Sequence, residues 1–115
     1  MVTEDEFRRI ALSLPQAEER ETWGEATFRV REKIFATVAG SGASVKASLD
    51  DQAALVRADP ETFSVPHYVG RYGWVGIDLD HLQPAMARTL IVNAWRRTAP
   101  KRLVAGYEAE AGAAE

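Results

Sequence analysis

The segment Val65-Pro-His-Tyr-Val-Gly-Arg-Tyr-Gly-Trp-Val-Gly-Ile-Asp-Leu79 joins a glycine-rich aromatic loop to an alternating strand pattern. Val75, Ile77 and Leu79 recur at a period of two, which predicts a strand whose three apolar side chains enter the core. The intervening positions, beginning with Trp74, point to the opposite face. The segment therefore predicts a sheet with one buried face, and it leaves open whether the other face and the loop form a binding surface or a packed corner.

The composition is typical of one soluble globular domain. The chain has 115 residues, of which 46% are hydrophobic and 27% are charged, and this length supports a single hydrophobic core. No apolar run approaches the ~20 residues that a membrane-spanning helix needs. The acidic start does not fit a signal peptide, so we expect a cytoplasmic location. Because cysteine is absent, disulfides and cysteine-based zinc sites are excluded.

Periodicity and capping signals predict a helix followed by an antiparallel meander. Thr3 and Glu6 form a capping box for a helix that begins at Glu4 and ends before Pro15. We expect a polar linker over residues 16–21. The period then changes to two in residues 26–31, 34–39 and 44–49, which predicts three strands joined by short turns.

Two more helices and a tail complete the predicted order. Asp50 is a candidate cap for a second helix through about Ala58, and Pro84 suits the first turn of a long helix that ends or kinks near Pro100. We expect residues 1–105 to form one domain and residues 106–115 a flexible acidic tail. This order predicts an α+β fold of two layers, in which the helices pack on one face of an antiparallel sheet.

Four stretches of the sequence resemble one protein family. They are KIFATV at residues 33–38, SVKAS at 44–48, residues 65–75 of the opening segment, and NAWRR at 93–97. The residues in these stretches and their order along the chain resemble those of the MmcQ/YjbR family, and the resemblance covers nearly the whole chain to about Arg102. The resemblance implies a two-layer fold like those of CyaY and the secretion chaperones. The positions that match the recurrent pattern of the family are Phe35, Lys46, Pro66, Tyr68, Gly70, Gly73 and Trp74.

The resemblance also implies DNA binding, because many members are described as DNA-binding proteins with a proposed double wing arrangement. It brings no agreed catalytic residue or cofactor with it. The residue types are compatible with this function, since arginine and lysine contact phosphates while tyrosine and tryptophan stack or pack against the nucleic acid. We therefore expect a module that contacts double-stranded DNA through its phosphates and uses eight residues, namely Arg29, Arg31, Lys33, Lys46, Tyr68, Arg71, Tyr72 and Trp74.

Two other functions are compatible with the same residues, because Trp74 can equally pack under the hairpin and the charges can be solvated neighbours. One is a protein-interaction or chaperone-like module that holds a partner on the open sheet face. The other is a small-molecule pocket near Trp23, Tyr68 and Trp74. A monomer and a weak homodimer both fit the sequence.

Charge and motifs narrow the class of function. The net charge is −3, although residues 71–105 carry six basic side chains against two acidic ones. Most of these cations gather near the end of the last long helix, where the helix dipole favours them whatever the function. His67 and His81 lack the spacing of a metal site, and the sequence has no nucleophile elbow or phosphate-binding loop. We expect no metal, no cofactor and no enzymatic activity.

Overall fold

In a computed structural model, which describes residues 1–113, six antiparallel strands form one sheet in the order β1-β2-β3-β4-β6-β5. The strands are β1 (Glu18–Thr22), β2 (Glu25–Val30), β3 (Lys33–Ala39), β4 (Gly42–Val45), β5 (Phe63–Ser64) and β6 (Val75–Asp78). The helices are α1 (Glu4–Leu12), α2 (Leu49–Ala58), α3 (Pro84–Thr98) and α4 (Lys101–Ala113), and a short 3-10 helix spans Val69–Tyr72. The predicted α+β architecture is confirmed. Within residues 1–113, no helix has the length and apolar character needed to cross a membrane.

The core lies between the sheet and helices α1 and α3. Directly paired residues on neighbouring strands share a face, so the paired positions Phe28, Ala36 and Val45 all face the helices, and all three are fully buried. The ring of Phe7 in α1 packs against Phe28 with a centroid distance of 6.0 Å. In α3, the buried Trp95 donates its indole N–H to the Pro15 carbonyl at 3.1 Å. The strand positions predicted to be core, Val75, Ile77 and Leu79, are buried.

The helix starts follow from side-chain caps. Thr3 Oγ1 accepts a hydrogen bond from the Glu6 backbone N–H at 3.0 Å, so α1 begins where the capping box predicts. The cap predicted for α2, Asp50, is wrong. Ser48 Oγ accepts from the Asp51 N–H at 3.0 Å instead, and the helix starts two residues earlier than expected. The strand before it consequently ends at Val45, and Leu49 is exposed on α2 rather than buried.

Two segments that the sequence predicts to be irregular, the linker after α1 and the C-terminal tail, contain regular secondary structure. Residues 18–21 of the expected linker, together with Thr22, form β1, an edge strand whose side chains are mostly exposed and which therefore lacks an alternating apolar signal. Residues 106–113 of the expected tail continue α4. They do so because Tyr107 packs against Trp95 with ring centroids 5.2 Å apart and an interplanar angle of 63°. The last two residues of the expected tail lie outside the described part of the chain.

Candidate functional site

The sheet face opposite α1 and α3 contains a groove of about 560 Å³. Its floor is made mostly of small side chains from the central strands, with Ile34 as the larger exception, and one wall is formed by Pro66, Val69 and Trp74 from the segment before β6. Trp74 lies here because it immediately precedes the core residue Val75, and alternation directs it to the open face. The groove exists because bulky side chains are missing from the middle of the sheet.

A row of small residues crosses the floor of the groove. In the register of the sheet, Thr27 pairs with Thr37, Thr37 with Ser44, and Ser44 with Gly76. The hydroxyl oxygens of Thr37 and Ser44 are 2.6 Å apart. That contact uses one of the two O–H groups, so the other O–H and the remaining lone pairs are left to meet a ligand. At the end of this row, Gly76 has no side chain to project into the groove. A Cβ at this position would lie 2.6 Å from Ser64 Oγ.

Helix α2 fixes the wall of the groove through one buried side chain. Gln52, which is 7% exposed, donates its amide N–H groups to the carbonyls of Gly70 and Trp74, both at 2.7 Å. These two carbonyls bracket the end of the 3-10 helix. Gly73, between them, adopts a φ of +98° and packs against the backbone of Ala47. Sequence reasoning missed Gln52, because a single glutamine in a short helix has no periodic or motif signal.

Exposed aromatic residues are neighbours, along the chain, of lining residues on both sides of the groove. Trp23 is 99% exposed at the tip of the β1–β2 turn, between the lining residues Thr22 and Glu25. On the other side, Tyr68 is 90% exposed and Tyr72 is 62% exposed. Tryptophan is highly buried on average and tyrosine is intermediate, so these exposed rings present an unusual amount of apolar area to solvent at both rims.

The structure brings four of the eight predicted contact residues into one region. Trp74 lines the groove, and Tyr68, Arg71 and Tyr72 belong to the adjoining loop, where the Arg71 guanidinium lies 4.9 Å from the centre of the Tyr72 ring. Arg29 is near the floor, with its Nε 3.4 Å from Thr27 Oγ1.

The other predicted cations are elsewhere. Arg31 donates to Gln16 Oε1 at 2.6 Å and lines a separate depression together with Arg102. Lys46 lines a third groove, between α2 and α3. Lys33 is exposed at the β2–β3 turn. The eight residues therefore do not form one continuous basic surface.

Known proteins share sequence features and the fold of this chain. The sequence matches the YjbR family model over residues 12–97, which is most of its length. The chain belongs to the YjbR family. The YjbR fold seen here is similar to the crystal structure of Deinococcus radiodurans protein DR2400, which is described with the family-model domain DUF419. The TM-score is 0.75 at 19% sequence identity, with 83% of this chain and 77% of that chain covered. A search of curated proteins found no match.

The groove of this YjbR chain contains little charge. Among the described residues that line it, Glu25 is the one titratable side chain, and no lysine or arginine is present. At its edge, Arg20 pairs with Glu32 at 2.6 Å, and the hydrogen bond from Arg20 lowers the pKa of Glu32. Within residues 1–113, no group of three or more histidine, aspartate or glutamate side chains is placed to hold a metal ion. The lining of the groove is therefore neutral to slightly acidic, and the Arg29 guanidinium adjoins it at Thr27.

An ion pair lies at the end of β6, where Asp78 Oδ2 is 2.9 Å from His81 Nδ1. Donating a hydrogen bond to the Asp78 carboxylate raises the pKa of His81 above its ordinary value of 6.5. The hydrogen bond from His81, and one from the Asp80 backbone N–H, lower the pKa of Asp78 below its ordinary value of 3.8. By linkage, the pair contributes its full stabilisation between those two ordinary values. The contribution is lost as the pH rises through the raised pKa of His81 or falls through the lowered pKa of Asp78.

Replacing Asp78 with asparagine (D78N) should lower the pKa of His81 towards its ordinary value, because the negative partner is removed. An NMR titration of the imidazole signals in the wild-type and D78N proteins measures the change. A His81 titration curve that is the same in both proteins would show that the pair does not exist in solution.

Proposed function

We propose that this YjbR-family chain is a non-enzymatic recognition module that binds an extended peptide segment of a partner protein across its open sheet face. The observation that carries the proposal is the groove, in which the Thr37 and Ser44 hydroxyls lie beside the wall formed by Trp74. Its volume of about 560 Å³ falls within the ~300–1,000 Å³ of typical ligand sites. Hydroxyls can both donate to and accept from peptide groups, and the indole offers an apolar surface.

The rims of the groove favour a peptide over a small molecule. Trp23 on one side and Tyr68 and Tyr72 on the other extend the exposed aromatic surface beyond the groove itself. Tryptophan and tyrosine, together with arginine, are enriched among the residues that contribute most to the binding energy of protein interfaces. A ligand that contacts the aromatic residues on both sides must extend across the whole groove. An extended peptide segment is long enough to do so.

The charge of the groove favours a neutral or cationic segment over duplex DNA, the ligand expected from the sequence. A phosphate chain placed in the groove would meet the carboxylate of Glu25 and no lining lysine or arginine among the described residues. Two of the cations expected to contact phosphates, Arg31 and Lys46, line other depressions. DNA binding depends strongly on such cations, since each phosphate contact releases counterions.

The test is selection of phage-displayed random peptides against the immobilised full chain, followed by calorimetric titration of the enriched peptides. Replacing Trp74 with alanine (W74A) should weaken the affinity by about 30-fold, the effect of losing an interface residue worth ~2 kcal/mol. Replacing Leu12 with alanine (L12A) is the matched control. Leu12 is an exposed apolar side chain on α1, on the helix side of the sheet, and L12A should leave the affinity unchanged.

Three results would overturn the proposal. Selection could enrich no peptide, or W74A could leave the affinity of every enriched peptide unaltered while circular dichroism shows it folded. Alternatively, a fluorescent DNA duplex could bind at low salt with an affinity that falls steeply as salt is added and that requires Arg29 and Arg71. That last result would restore DNA as the ligand.

A further inference from the structure

We infer a second ligand site on the helix side of the sheet, for a small anion that carries a short apolar chain. The site is a groove of about 260 Å³ between α2 and α3, with the end of β4 at its base. It lies on the opposite side of the sheet from the groove lined by Trp74. The inference is independent of the peptide function proposed above.

The apolar part of the site follows from the way the helix layer is packed. Helices α2 and α3 make little direct contact with each other, so the layer stays open between them. Val45 and Leu90 are buried in the groove, and Leu55 is half-buried. Met86 lines the same groove and is 40% exposed. An apolar chain placed here would remove its own surface from water, together with the exposed parts of Leu55 and Met86.

The charged part of the site consists of two cations. Lys46 and Arg97 both line the groove. Among the residues that the structure describes, neither forms an ion pair, whereas Arg8 and Arg20 are each paired with carboxylates. Asp51 also lines the groove, so the side chains around it leave a net charge of one positive unit. Arginine and lysine with free N–H groups bind carboxylate and phosphate oxygens through charge-assisted hydrogen bonds.

The combination of these two parts decides the class of ligand. An inorganic anion would leave the apolar lining unused, and a neutral hydrocarbon would leave the two cations unpaired. The volume of about 260 Å³ lies just below the ~300 Å³ at the lower end of drug-sized sites, which suits a short chain. Carboxylate and phosphate head groups share the required chemistry, and octanoate and octyl phosphate distinguish them.

The experiment is an NMR titration of the full chain with octanoate and with octyl phosphate. We expect saturable binding of at least one of them, with shift changes at α2 and α3. Replacing Lys46 or Arg97 with glutamine (K46Q, R97Q) should each weaken that binding by about five- to tenfold, through loss of a charged hydrogen bond. Asp51→Asn should strengthen it a few-fold. Octan-1-ol should bind more weakly than the anion, and equally to all four proteins.

K46Q and R97Q should weaken binding of the anion, whereas Asp51→Asn should strengthen it. Damage to the fold would weaken binding in every variant, so this difference in sign identifies electrostatic recognition. Ala54→Leu, which places a larger side chain in the groove, should weaken the binding of both anions and the alcohol by tenfold or more. The inference is overturned if neither anion binds saturably at millimolar concentration, if K46Q and R97Q bind as the wild type does, or if octyltrimethylammonium binds as tightly as octanoate. None of these results would affect peptide selection on the open sheet face.

Discussion

Replacing Gly73 with alanine should destabilise the chain by about 3 kcal/mol or more, the largest effect we expect from a single methyl group. Gly73 has a φ of +98°, a backbone conformation that costs ~1–3 kcal/mol for other residues. The added Cβ would also lie 2.9 Å from the carbonyl carbon of Ser48 and closer still to the carbonyl oxygen of Ala47. These are backbone atoms at the start of α2, which cannot rotate away as a side chain can.

Gly24→Ala is the control that separates the two causes. Gly24 also has a positive φ, +78°, but a Cβ there would have no atom within 4 Å. It should therefore lose only the conformational part, about 1 kcal/mol. Urea unfolding of the wild type and both variants gives the comparison. Equal losses in Gly73→Ala and Gly24→Ala would contradict the close packing of the loop against α2.

Replacing Gln52 with glutamate (Q52E) should cost about 3 kcal/mol at pH 7, although the two side chains have nearly the same shape. Gln52 donates to the carbonyls of Gly70 and Trp74. A carboxylate has no N–H to donate, so the variant would lose both hydrogen bonds, bury a charge and place it against two carbonyl oxygens. Burial and these oxygens would raise the pKa of the introduced carboxyl above its unfolded value of ~4.3.

The pH dependence of Q52E follows from that shift. The folded state would bind the proton more tightly than the unfolded state, so the charge penalty is complete above the raised pKa and disappears as the pH falls below ~4.3. Gln52→Leu is the comparison, since it loses the same donors without gaining a charge. The difference in unfolding free energy between the two variants should shrink as the pH is lowered. A difference that stays constant with pH would show that the side chain of residue 52 is not buried against the loop.

The parts of the fold that sequence could predict are those set by neighbours along the chain. The capping box at Thr3 and the alternation of Val75, Ile77 and Leu79 depend only on local spacing, and both predictions are confirmed. Strand β1 was missed because an exposed edge strand has no apolar alternation. The family resemblance is confirmed by the match over residues 12–97.

The positions of the candidate site residues were harder to predict from the sequence, because they depend on the residues at which the strands end. Alternation along β2 placed Arg29 and Arg31 on one face. The strand ends at Val30, and a turn with positive φ angles at Arg31 and Glu32 brings Arg31 to Gln16 instead. Strand β4 likewise ends at Val45, just before Lys46. The aromatic loop was recognisable from its composition, whereas its attachment to α2 through Gln52 required the tertiary structure.

The attachment through Gln52 means that the loop and α2 should open as one cooperative unit. The amides of Gly70 and Gly73 donate to carbonyls within the loop, at 3.1 Å to Pro66 and 3.0 Å to Gly70. Freeing them for hydrogen exchange requires the loop to move, and that motion breaks the bonds to Gln52. Their protection should therefore match that of the α2 amides rather than that of a surface loop. The wall that contains Trp74 is therefore already ordered before a partner binds. Binding would not incur the entropic cost of ordering this loop.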